Sequence, residues 1–261
     1  MLFWTVLFSF FFTMHGKIET RDFTYEADGV KLKGHIASDG SIKGKRPGVL
    51  VVHEWYGHNE YARKRADMLA ELGYVALAVD MYGDGKTAEH PQDAGKFAGE
   101  VTSNMPAMEA RFTAALNELK KDPNVDAEQV AAIGYCFGGG VVLHMARTGA
   151  PLKGVVSFHG SLATSKPAEK GAVKAKVLVC NGADDSFISA EAIANFKKEM
   201  DNAGADYTFI SYEGAIHSFT NPSSTEIGKK YDIKVAYNEK ADKESWSEMQ
   251  SFLKRVFAEK K

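Results

Sequence analysis

From Met14 onward, short apolar runs alternate with longer amphipathic stretches. This is the pattern of strands and helices that follow one another in a mainly parallel sheet covered on both faces. "DFTYEADGVKLKGHIAS" reads as two strands hinged at Asp28-Gly29, a dipeptide suited to a tight hairpin. "GVLVVHE" is a continuous apolar run between Pro47 and the "YGHN" turn, as a strand buried on both faces requires. Residues 59–72 place Tyr61, Met68, Leu69 and Leu72 at helical spacing with basic residues between them, and Gly73 supplies the stop. The strand "YVALAVDMYG" comes next, then two helical stretches divided near Pro106, then "QVAAIGYC", a strand that runs into a glycine-rich turn. "GVVSFHG", "KAKVLVCNG" and "DYTFISYEG" complete the strands, with a serine-capped helix before the last. A closing helix aligns Trp246, Met249, Leu253, Val256 and Phe257 on one face, which docks the chain end onto the sheet. No repeat or linker interrupts the pattern, so residues 14–261 read as a single α/β domain.

Composition narrows the function classes. With 44% hydrophobic residues over 261 positions the chain can bury one large core. A net charge of −2 provides no basic field for nucleic acid, so a small molecule is the expected partner, acted on by a monomer or small homo-oligomer. The two cysteines, Cys136 and Cys180, sit in unlike contexts and do not make a disulfide framework. The apolar stretch 1–13 lacks a basic start and a small-residue cleavage site, and is short for a stable membrane span. It reads as a leader or as upstream of a true start at Met14: the protein is cytoplasmic in the second case and exported in the first.

The stretch that carries chemistry is "AAIGYCFGGG", in which Gly134, Cys136 and Phe137-Gly138 form the G-x-nucleophile-x-G pattern of a nucleophile elbow with cysteine as nucleophile. A side chain on so sharp a strand-to-helix turn has strained dihedrals, and glycine two positions away on each side lets strand and helix pass closely. The thiol would then sit at a helix N-terminus, which favours a thiolate and an oxyanion. Two aspartates, Asp184 and Asp185, follow the strand "KVLVC", and His217 follows the next strand. Each candidate thus lies at the C-terminal edge of the sheet, in the chain order nucleophile, acid, histidine used by α/β-hydrolases. "HEWYGH" approaches a zinc motif, but its histidines are five apart and Gly57 interrupts, so no metal is expected.

From "GVLVVHEWYGHN" to the C-terminal helix the chain resembles the dienelactone hydrolase family of α/β-hydrolases. "GYCFGG" resembles that family's cysteine elbow, "GADDSFIS" its acid loop and "YEGAIHSF" its histidine loop. The resemblance implies a Cys136, Asp185, His217 triad, with Asp184 the alternative acid, and an ester, lactone or thioester substrate cleaved without a cofactor. It implies that Glu54 contacts and modulates the thiol, and that the backbone N–H groups of Trp55 and Phe137 bind the oxyanion. The two arginines with which the family holds a substrate carboxylate have no match: Asn221 and Phe97 occupy the corresponding positions, with Lys96 beside the second. A thiol-based peroxide sensor and a non-catalytic member of the fold are the alternative readings.

Overall fold

β1 (Ile18–Ala27) and β2 (Val30–Asp39) pair antiparallel around Asp28 and Gly29. Both turn residues have positive φ, 51° and 71°, as a two-residue hairpin turn of the mirror-image type demands. β3 (Arg46–Val52), β4 (Val75–Val79), β5 (Val125–Tyr135), β6 (Gly154–Phe158), β7 (Lys176–Gly182) and β8 (Tyr207–Tyr212) run parallel to one another. The sheet order is β1-β2-β4-β3-β5-β6-β7-β8, and β2 joins β4 antiparallel. The computed structural model describes residues 17–259, so the expectations for residues 1–13 lie outside it.

The continuous apolar runs are explained by burial on both faces. On β3, Val49 and Val51 belong to the core with Leu69 of α1 (Glu60–Glu71) and Met249 and Leu253 of α7 (Glu239–Ala258). Leu50 and Val52 point the other way, into the core with Phe112 of α3 (Met105–Lys121), Val142 of α4 (Phe137–Arg147) and Phe196 of α5 (Ala190–Ala203). α2 (Pro91–Thr102) and α3 are separated at Ser103-Asn104. Asn104 caps α3, and Pro106 fits its first turn because no N–H is needed there. α6 (Ser224–Tyr231) was not legible in the sequence, and β3 stops at Val52, two residues before the expected end at Glu54. Among the described residues no helix is long and apolar enough to cross a membrane.

One buried cation ties several elements together. Arg65 of α1 is 4% exposed. Its guanidinium donates to the Thr220 carbonyl at 2.7 Å and to the Asp242 carboxylate of α7 at 2.6 Å. It also lies over the rings of Tyr61, Tyr135 and Trp246 at 5.1 to 5.3 Å. α1, the end of β5, the loop after β8 and α7 therefore meet on one side chain. Removing it strands a carboxylate and a carbonyl in the interior, so Arg65→Ala should lower unfolding free energy by about 3–5 kcal/mol. Urea denaturation, with the midpoint falling at unchanged slope, checks this.

Candidate active site

The end of β5 delivers Cys136 into the first position before α4 with φ 52° and ψ −114°, a conformation that L-residues rarely occupy. Neighbouring backbone holds it there. Its N–H is shared between the Phe158 carbonyl at 3.0 Å and His159 Nδ1 at 3.1 Å. Gly138 N–H reaches the His53 carbonyl at 3.1 Å, docking the start of α4 onto the end of β3. A Cβ on Gly134 would strike the Gly138 carbonyl, and one on Gly138 would strike that of Val52, so the two glycines are required by close approach.

The expected acid and histidine converge on this thiol. His217 Nε2 lies 3.1 Å from Cys136 Sγ, and Nδ1 lies 2.8 Å from Asp185 Oδ2. The other carboxylate oxygen of Asp185 accepts the Phe187 N–H at 2.9 Å, which fixes the acid loop. Asp184 is exposed, while the Asp185 side chain is fully buried. The geometry thus brings Asp185, and not Asp184, to the ring.

Glu54 is 3% exposed, and its oxygens accept from Ser218 Oγ at 2.5 Å and Asn221 Nδ2 at 2.6 Å. Burial raises its carboxyl above the ordinary range; these two hydrogen bonds and the His217 charge work in the opposite direction. The hydrogen bonds of Glu54 therefore go to the segment after His217, whereas the thiol is bonded to His217. Trp55 and Phe137 flank Cys136 in the same cavity wall, and among the described residues neither backbone N–H has an acceptor. His53 accepts the Met81 N–H on Nε2, and His58 donates to the Ala78 carbonyl, so both histidines of "HEWYGH" are scaffold. Burial depresses each to about 4.

His159 was missed, although "GVVSFHG" ends an apolar strand on a histidine just as "GVLVVHE" does. Burial, then the His217 charge, push its pKa well below 6.5, so the ring is neutral. Nδ1 accepts from Cys136, which leaves Nε2–H to donate to Thr220 Oγ1 at 2.8 Å. The elbow, the histidine loop and, through the Thr220 carbonyl, Arg65 are joined by this chain of contacts.

Above the thiol lies a cavity of about 420 Å³ lined by Trp55, Tyr56, Phe137, Phe187, Ile188, Ile227, Ile233 and Val235 besides the catalytic candidates. Among the described residues neither Arg nor Lys lines it. Asn221 is engaged by Glu54, Phe97 packs on Tyr82, and Lys96 is exposed outside the cavity.

Burial disfavours a charged His217, but the charge of a Cys136 thiolate and the Asp185 hydrogen bond outweigh it and hold the ring up at about 10. A histidine raised in this way adds stability in full below about 6.5, and loses the contribution as pH rises through about 10. In an NMR titration His217 should therefore show a midpoint near 10, falling toward 6.5 in Cys136→Ala. Equal midpoints would show that the thiolate is not the source.

The model of the dienelactone hydrolase family matches residues 32–257. Among relatives, "Protein usf" of Aquifex pyrophilus is 29% identical over 219 residues, covering 82% of this chain and 93% of its own. The structure of a dienelactone hydrolase-like promiscuous phosphotriesterase from metagenomic libraries superposes with a TM-score of 0.86 at 34% identity, covering 93% of this chain and all of its own. A dienelactone hydrolase from Anabaena variabilis shares the fold at 21% identity with a TM-score of 0.59, covering 82% of this chain and 94% of its own. With the cysteine elbow and the converging histidine and aspartate in place, the chain belongs to the dienelactone hydrolase family and is a hydrolase of that type.

Proposed function

We propose that this hydrolase cleaves a small-molecule ester, lactone or thioester through a Cys136, His217, Asp185 triad and a thioacyl-enzyme. The observation that carries the reading is the continuous chain from Asp185 Oδ2 through both His217 nitrogens to Cys136 Sγ, ending at the floor of an apolar cavity. In this mechanism the thiolate adds to the substrate carbonyl, and the oxyanion so formed is met by the free N–H groups of Trp55 and Phe137. Collapse of the adduct breaks the bond to the leaving group while His217 Nε2–H gives that group its proton. His217 then takes a proton from water as the water oxygen attacks the thioester; the acid leaves and the thiolate returns. Asp185 holds the ring with Nε2 facing the sulfur throughout.

Glu54 acts on the thiol through the segment after His217, whose Ser218 and Asn221 hold its buried carboxyl. A peroxide-sensing role has less support, because Cys180 is fully buried and its thiol is pushed up to about 12, which leaves no resolving partner there.

On p-nitrophenyl esters Cys136→Ala should lose at least about a thousandfold in kcat/KM. Acid-quenched wild type should carry the acyl mass on Cys136. Asp185→Asn should lose on the order of a hundredfold to ten-thousandfold, and Asp184→Asn no more than about twofold. Wild-type activity that survives Cys136→Ala would overturn the triad. Glu54→Gln is expected to alter the pH profile of Cys136 alkylation by iodoacetamide, and a superimposable profile would remove Glu54 from that role.

A further inference from the structure

Among the described residues no Arg or Lys lines the cavity over Cys136 to meet an anionic substrate, and the His217 ring in its lining is already paired. Of the charged groups near it, Arg65 is spent on the Thr220 carbonyl and Asp242. Glu54 is held by two neutral side chains, Ser218 and Asn221. A carboxylate entering the cavity would be desolvated against apolar walls, with the His217 ring already paired to Cys136 and Asp185.

The rim carries a second feature. Phe187 is 59% exposed, against 40% for Leu72 and 38% for Ile42, the other exposed large apolar side chains among the described residues. Its ring stands edge-on to His217 with centroids 5.0 Å apart, and its N–H is fixed by Asp185. A side chain of this size left in water beside a reactive pair is expected to gain by covering with a ligand. Because His217 is the group that protonates the leaving oxygen, the part of the substrate that departs passes along Phe187 and Ile188 rather than along Trp55 and Phe137.

We propose that the cleft selects uncharged esters whose alcohol portion is aromatic or bulky and apolar, with Phe187 as the platform against which that portion packs. The proposal rests on the hydrolase reading for the direction of departure, and on the lining of the cavity alone for the exclusion of anions.

The test compares phenyl butyrate, ethyl butyrate and 3-carboxyphenyl butyrate on wild type and Phe187→Ala. Wild type should turn over the phenyl ester at least about tenfold better in kcat/KM than its carboxylate-bearing counterpart. Phe187→Ala should lower kcat/KM for phenyl butyrate by about three- to tenfold more than it lowers that for ethyl butyrate, with the difference mainly in KM. Equal or better use of the carboxylate ester overturns the proposal, as does an equal loss on phenyl and ethyl esters. A second readout does not need turnover: acetophenone should protect Cys136 from iodoacetamide in wild type, and 4-acetylbenzoate should not. Equal protection by the two overturns the proposal. Discriminating protection with no hydrolysis of any ester supports the cleft and refutes the hydrolase reading instead.

Discussion

The site depends on one strained residue. Cys136 stands at φ 52° and ψ −114° because the turn from β5 into α4 leaves it no other path. Backbone strain of this kind costs on the order of 1–3 kcal/mol and persists only where surrounding contacts over-determine it. Here those contacts are the shared hydrogen bond from its N–H to Phe158 and His159, the dock of Gly138 onto the His53 carbonyl, and two glycines packed against carbonyl oxygens. The strain lifts the sulfur toward His217 and leaves the following N–H unpaired, so the geometry that destabilises the turn is also the geometry that presents the thiol to the cavity.

Around that turn, buried polar groups are linked in series. His159 joins the elbow to Thr220, Thr220 joins it to Arg65, and Arg65 crosses to Asp242 on α7. On the other side Glu54 ties the end of β3 to Ser218 and Asn221, immediately after His217. The hydrogen bonds along both routes offset the burial of their charged and polar members, and each route includes the loop that carries His217. The rigid sheet edge thereby sets the position of a histidine that sits on a loop of its own.

The electrostatic balance of the site follows from where charge is compensated. His217 is raised to about 10 despite burial, since Cys136 and the Asp185 carboxylate lie on its two nitrogens. Glu54 is raised because burial outweighs the hydrogen bonds from Ser218 and Asn221, which work in the opposite direction. Among the described residues the cavity itself offers mainly apolar walls and no Arg or Lys.

Much of this was legible in the one-dimensional pattern. Strand and helix order, the hairpin at Asp28-Gly29, the cap at Ser189 and the docking face of α7 follow from local periodicity and turn chemistry. The elbow was readable because its glycines answer a steric need confined to five consecutive residues. Choosing Asp185 over Asp184 needed the family resemblance, because the two are adjacent and only the curvature of the loop decides which one is buried. His159, Ser218 and Phe187 gave little signal, since their roles arise from partners 6 to 164 positions away or from the shape of a cavity rim. The sequence by itself determined which residues could do chemistry and which strand ends would carry them. Only the tertiary structure decided that the Glu54 carboxylate is held by Ser218 and Asn221, and that among the described residues no Arg or Lys lines the cleft, because burial and charge compensation are properties of neighbours brought together by folding.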